Sequence, residues 1–454
     1  MTATTSPVLS LHRISAPISA PGERFRAARR ESMLLCEPLT PEDMMVQSCA
    51  EASPAKWHLA HTTWFFESFV LREFLPGYRI FHADFAWLFN SYYESFSAFP
   101  EKRLRASFSR PGLDEILRYR EHVDAAMERL LEQGPEAEAL RRIELGANHE
   151  EQHQELLLTD ILHAFYTNPL KPKYKEQGTK GPREQEGREQ ESEGARKPLE
   201  FRPFESGLRE AGHTGGGFCF DNELPRHRVW LEPYALANRL VTCGEYAEFM
   251  VDGGYRRSEF WLSAGWDAVK QNGWRAPLYW SGEGGDRGER EWTVFTLHGE
   301  RPLKELAATP VSQVSFYEAD AYARWAGQRL PTEFEWEAAV EDKLVEGNLL
   351  DSGNLMPVPA EDLVQDGNGA KDQNENPTKW YGDCWVWTSS AYLGYPGFHP
   401  MDGTLGEYNG KFMSGQMVLR GGSCVTPAAH IRSSYRNFFP PETRWQFSGI
   451  RLAS

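Results

Sequence analysis

Residues 112–133 read GLDEILRYREHVDAAMERLLEQ, with Leu113, Ile116, Leu117, Tyr119, Val123, Met127, Leu130 and Leu131 recurring at three- and four-residue steps between charges. That spacing gathers the apolar side chains on one stripe of an amphipathic helix. Similar periodicity runs through 54–74 and 136–165, and Pro41, Pro76, Pro111 and Pro135 punctuate the gaps. Helices of this kind between Arg24 and residue 170, after an N-terminal arm at 1–23, predict an antiparallel four-helix bundle.

The pattern changes on the C-terminal side. Between Tyr174 and Leu199 there is no Val, Ile, Leu, Met or aromatic residue. Such a segment cannot bury enough apolar surface to offset its conformational entropy, so 171–199 reads as a charged flexible linker or surface insertion. Excision of 175–198 is expected to leave folding and turnover nearly intact, and a large loss of activity in the shortened protein would count against this reading. Beyond Phe201 short apolar runs alternate with Gly-Gly turns at 215–217, 253–254, 284–285 and 421–422, and helices are expected only at 242–251, 315–326 and 333–340. An α+β domain rich in loops over 200–454 fits this pattern.

Composition narrows the function classes. A chain of 454 residues with 40% apolar content supports two globular domains. The net charge of −16, with no dense Lys/Arg stripe, would repel a phosphate backbone, so nucleic acid is not an expected partner. No run of eighteen apolar residues and no apolar signal core near the N-terminus predict a protein that neither enters a membrane nor is exported. Six cysteines without a CxxC pair read as reduced thiols, and a cytoplasmic location follows. Oligomeric state is not legible.

The string GANHEEQHQELLL at 146–158 places His149 and His153 one turn apart on a single helix face, where both imidazoles can reach one ion. Two solvated histidines on an acidic helix are the alternative, and the leucines of the same string weigh against it. The best candidate for a third ligand is His61 in WHLAHTTWFFE at 57–67, where Trp57, Trp64 and Phe65 argue for burial; His58 is the competing choice, and one of the two is expected to point elsewhere. Three neutral imidazoles suit Fe(II), Zn(II) or Cu(II) without choosing among them. The same letters satisfy the HExxH pattern of zinc proteases, with Glu150 in the place of the general base, although nothing else in the sequence supplies a peptide cleft.

These segments resemble two families joined in one chain. The LAH ending at His61 and the HEEQHQE of 149–155 resemble the iron-ligand segments in the DinB-like bundle of ergothioneine-biosynthesis sulfoxide synthases. The second half resembles the formylglycine-generating-enzyme (sulfatase-modifying factor) fold, a C-type-lectin-like domain. The matching strings are DNELPRHRVWL (221–231), LVTCGEYAEFM (240–250), PVSQVSFYEADAYARWAGQRLPTEFEWEAA (310–339), VLRGGSC (418–424) and YRNFFPPETRWQFSGIRLA (435–453). Two departures matter: GDCWVWT at 382–388 replaces GNVWEWT, and no closely spaced cysteine pair surrounds Cys424. Formylglycine chemistry is therefore not implied, and Cys384 and Cys424 read as small packed residues.

The resemblance implies an Fe(II)-dependent enzyme that uses dioxygen (O2) to join L-cysteine to hercynine (Nα-trimethylhistidine), with His61, His149 and His153 as ligands. It also implies hercynine contacts from Gln152, with Asn437, Phe438 and Phe439 assisting, and a proton donor at Tyr92 or Tyr93. Arg103 and Arg105 read as partners of a substrate carboxylate. Spacing alone leaves blander readings open: a solvated Gln, core-packed phenylalanines, one buried and one surface tyrosine, solvated arginines. EYNGKFM (407–413) and RNFFPP (436–441) look most like the branch that uses free cysteine, because the γ-glutamylcysteine branch carries Asn-Trp-Asp where Asn437, Phe438 and Phe439 stand. The alternatives are γ-glutamylcysteine as donor, a zinc-dependent DinB-type thiol transferase, and a ligand-binding module with a structural metal.

Overall fold

Pro21 opens the first helix, α1 (Pro21–Cys36), where its ring presets the helical φ and its missing N–H has no intrahelical partner to lose. The helix therefore begins inside the segment expected to be an arm. The protein is represented by a computed structural model that describes residues 20–175, 198–283, 291–360 and 379–454. The rest of the arm, residues 176–197 of the linker and the turn at 284–285 lie outside the described residues.

Three more helices complete the bundle: α2 (Ala55–Phe66), which continues through a π-helical turn at Glu67–Leu71, α3 (Leu113–Glu132), and the long α4 (Ala137–Thr167). Helix α1 packs along α4, and α2 lies against both α3 and α4. Every residue of α2 is buried, the condition of a helix enclosed on all sides. Two of its polar side chains are matched inside: Lys56 Nζ donates to the Pro111 carbonyl at 2.8 Å, and Thr63 Oγ1 to the Leu59 carbonyl at 2.7 Å. No helix among the described residues is long and apolar enough to cross a membrane.

The start of the expected linker is attached, not free. Tyr174 is buried, its backbone N–H donates to the Leu297 carbonyl at 2.9 Å, and its hydroxyl donates to the Leu35 carbonyl at 2.7 Å. One aromatic residue next to a polar run is enough to anchor the chain to both halves, so the charged segment begins after Lys175.

The second half mixes helix and strand, as an α+β reading requires. Strand β1 (Trp385–Ala391) pairs antiparallel with β2 (Met417–Arg420) and parallel with β4 (Ser448–Gly449), and β3 (Asn437–Phe439) extends the sheet beyond β2. The helices Cys243–Val251, Phe316–Trp325 and Glu333–Val340 start where the sequence places them. Thr242, Ser315 and Thr332 cap them, each in a reciprocal capping box with the Glu three residues on. A further helix, Ser263–Asn272, was not expected, because Trp266 and Val269 are too few large apolar residues to mark a stripe.

The two halves share one continuous cluster of buried apolar side chains. Polar contacts at the seam converge on α4. Glu155, buried, accepts hydrogen bonds from Trp385 Nε1 (2.6 Å), Thr426 Oγ1 (2.8 Å) and Ser423 Oγ (3.1 Å). Burial raises its pKa, and these donors oppose that rise. Gln152 Nε2 donates to the Tyr435 hydroxyl at 2.7 Å.

Candidate metal centre

Gly146 lies one turn before His149, where a Cβ would stand 2.5 Å from the Phe66 ring. Only glycine admits so close an approach, and it lets α4 press against α2. The approach brings His61 of α2 to His149 and His153 of α4. The three imidazoles are buried, and one ligand atom from each lies within 4.8 Å of the others. Among the described residues this is the only such group of His, Cys, Asp or Glu.

Hydrogen bonds orient two of the rings. His61 Nδ1 faces the Phe89 carbonyl at 2.6 Å and must donate to it, which leaves Nε2 as the lone pair. That Nε2 stands 3.2 Å from His149 Nε2, a separation that needs a proton or a cation between the two atoms. His149 Nδ1 is buried with no hydrogen-bond partner. The His61 ring is layered between Trp57 (4.5 Å) and Trp64 (5.4 Å), and the Arg105 guanidinium covers the Trp57 ring at 3.4 Å. Burial lowers the pKa of His149 to about 3 and holds His61 and His153 well below the usual range. Neutral imidazole is the form that ligates a metal. Three such donors converging in a buried site fit a borderline divalent ion such as Fe(II) or Zn(II).

His58 does not join the cluster. Its Nδ1 is 2.8 Å from His153 Nδ1, and its Nε2 is 3.0 Å from Asp160 Oδ2. Glu150 is engaged elsewhere too. It accepts from Arg120 (2.5 Å), Ser32 (2.7 Å) and Arg29 (3.1 Å). Burial alone would raise its pKa, but the Arg120 and Arg29 guanidiniums hold it down at about 2. A carboxylate so paired cannot serve as a general base, and the HExxH protease reading fails on this point.

A cavity of about 400 Å³ lies between the halves and reaches the cluster through His153. Gln152, Tyr92 and Arg105 line it from the bundle, and Asn437, Phe438 and Phe439 line it from β3. One face of Phe438 is taken by Tyr392, stacked at 3.9 Å. Tyr93 is fully buried behind the wall, its ring 5.0 Å from that of Tyr92. Burial raises the pKa of both phenols, so they stay protonated.

Arg103 is not brought to the cavity; its side chain is exposed and pairs with Glu101 at 2.6 Å. The segment Lys102–Ser107 is a 3₁₀ helix, in which residues three apart eclipse, so Lys102 and not Arg103 shares the cavity face with Arg105. Arg105 is buried and donates to Ser53 Oγ and Ser91 Oγ, each at 2.8 Å. Burial lowers its pKa to about 9. The Asp160 charge partly opposes that lowering, and among the described residues no carboxylate is in ion-pair contact with Arg105, which lines the cavity. Sequence reasoning also passed over Tyr408, which lines the cavity with its ring 5.5 Å from His149. It lies within the EYNGKFM string, but nothing in that string marks it as close to the histidine cluster. Cys384 and Cys424 are free and buried outside the cavity lining, with thiol pKa values raised by burial.

Residues 24–164 match the DinB superfamily, and residues 202–454, more than half of the chain, match the sulfatase-modifying factor enzyme 1-like domain. The chain belongs to the sulfatase-modifying factor family. Within that family it is similar to the hercynine oxygenase of Mycobacterium tuberculosis, 35% identical over 250 residues that cover 51% of this chain and 55% of that protein. The hercynine oxygenase of Mycolicibacterium smegmatis is 36% identical over 249 residues, with the same coverage of 51% and 55%. The ergothioneine biosynthesis protein 1 of Schizosaccharomyces pombe is 25% identical over 249 residues, covering 52% of this chain and 27% of that protein. The chain thus spans about half the length of the hercynine oxygenases it matches.

Proposed function

We propose that this protein is an Fe(II)-dependent sulfoxide synthase of ergothioneine biosynthesis, joining L-cysteine to hercynine with O2 to give hercynylcysteine sulfoxide. The observation that carries the reading is a three-histidine cluster bordering a cavity built by both halves, in a chain similar to hercynine oxygenases. The reaction balances: a thiol S–H and an imidazole C–H are lost, a C–S bond and an S=O bond form, and the second oxygen atom leaves as water. Bound Fe(II) would supply a cation that favours thiolate over thiol and a centre at which O2 is reduced.

The residues of the chain then bind and orient. Gln152 offers an amide beside His153 to the substrate imidazole. Tyr408, Phe412 and Phe439 present aromatic surface to the quaternary ammonium, which aromatic faces attract. Tyr92 holds a protonated hydroxyl at the wall, available as a proton donor. Arg105 and Lys102 face the substrate carboxylates.

Oxygen uptake by the metal-loaded protein tests the proposal. With Fe(II), uptake is expected only when hercynine and cysteine are both present, with a product whose mass equals the two substrates plus one oxygen atom minus two hydrogens. Anaerobic thiol transfer with Zn(II) would replace this reading with a DinB-type transferase. Binding without turnover of either kind would leave only a ligand-binding module.

The donor is a separate prediction. Free L-cysteine and hercynine bring two carboxylates to a cavity lined by three cations, of which Arg436 is already paired with Glu333, leaving Arg105 and Lys102; γ-glutamylcysteine adds a third carboxylate. Burying a carboxylate without a partner costs several kcal/mol, and Phe438 and Phe439 offer it none. Each ~1.4 kcal/mol of mismatch is about tenfold in kcat/KM, so cysteine should win a direct competition by at least about tenfold. Preference for γ-glutamylcysteine would overturn the donor assignment and leave the metal centre standing.

A further inference from the structure

We infer that His58 and Asp160 form a positioning relay that fixes the tautomer of His153 and so delivers its Nε2 to the metal. The inference rests on the reading of His61, His149 and His153 as ligands. It concerns how the ligand set is held, which the ligand assignment itself leaves open.

The hydrogen bonds permit one arrangement of protons for neutral rings. Asp160 Oδ2 accepts from the Ser53 backbone N–H at 2.8 Å, which anchors the carboxylate. A carboxylate only accepts, so His58 Nε2, 3.0 Å away, carries its proton toward Asp160. The lone pair of His58 is then on Nδ1, which faces His153 Nδ1 at 2.8 Å. His153 Nδ1 must therefore be the donor, and its Nε2 is left as the lone pair.

The helices explain why three residues are needed. His153 and Asp160 are seven residues apart on α4, two turns along one face, about 10 Å by the rise of an α-helix. They cannot bond directly. The His58 ring, projecting from α2, fills the interval and hydrogen-bonds to both. Helix α2 thus supplies one ligand, His61, and the group that orients another. A carboxylate behind a ligating imidazole raises its basicity and fixes its orientation, and loss of such a partner weakens metal affinity by about 10–100-fold.

Co(II) binding to the full chain tests the relay, with affinity from chelator competition, stoichiometry and the visible spectrum of the bound ion as readouts. His58→Leu is expected to bind one Co(II) per chain about 10–100-fold more weakly than wild type, with a shifted spectrum. His58→Gln, whose amide can donate to Asp160 and accept from His153, should recover most of the affinity and the wild-type spectrum. Asp160→Asn should weaken binding in the wild-type background and add nothing in the His58→Leu background, because it acts through His58. Should the leucine variant fail to fold, Asp160→Asn alone carries the test. Wild-type affinity and spectrum in His58→Leu, or additive effects of the two substitutions, would overturn the relay. Loss of all Co(II) in His58→Leu, matching His61→Ala, would overturn it by making His58 a ligand. A wild-type chain that binds no Co(II) would instead defeat the reading of the metal centre.

Discussion

Replacing His61, His149 or His153 by Ala is expected to abolish iron binding, leaving purified protein with essentially no metal after loading and desalting. Each variant removes one of three inward donors from a buried site in which no other His, Cys, Asp or Glu among the described residues stands ready to replace it. Loss of an outer partner of a ligand already costs about 10–100-fold in affinity, and loss of the ligand itself must cost more. The exposed His82 provides the control, since His82→Ala should bind iron as wild type does. Elemental analysis of iron per chain decides the matter. Full retention in His61→Ala together with loss in His58→Ala would reverse the assignment of those two residues.

A second large effect is expected at Glu150. Its carboxylate is the shared partner of Arg29 and Arg120, and all three side chains are buried. Arg29 keeps a second partner, Asp124 at 2.7 Å, but Arg120 keeps only the Arg29 carbonyl at 2.8 Å. Removing one member of a buried ionic network leaves charge uncompensated and costs about 3–5 kcal/mol. Glu150→Ala should therefore lower the urea midpoint of the metal-free protein markedly, and Glu150→Gln, which keeps the shape and some hydrogen bonds, should lower it less. If Glu150 were a general base, Glu150→Gln would keep its stability and lose turnover, and that outcome would sink the structural role assigned to it.

Much of the site was legible because it obeys local periodicity. His149 and His153 are four apart, and any α-helix brings such residues to one face. The capping boxes at Thr242, Ser315 and Thr332 mark their helices by residue type alone. The bundle follows from apolar stripes at helical spacing, although its first helix begins at Pro21, before Arg24, because the residues ahead of Arg24 carry no apolar stripe and only Pro21 signals the start.

The choice between His58 and His61 was of another kind. Three residues on an α-helix turn through about 300°, so the two rings stand roughly 60° apart and face nearly the same way. Which one meets His149 and which one meets His153 from behind depends on the register of α4 against α2, where Gly146 contacts Phe66. Arg103 lies away from the cavity for a related reason. A 3₁₀ helix shifts the face shared with Arg105 to Lys102, and nothing in the local letters announces three residues per turn. Glu150 shows the same division: its place between the two histidines was plain in the sequence, but its engagement by Arg29 and Arg120 came only from packing against α1 and α3. The sequence by itself determined which residues share a helix and a face, since backbone geometry repeats along the chain. Only the tertiary structure decided which faces meet, because that depends on how side chains far apart in sequence fill the space between helices.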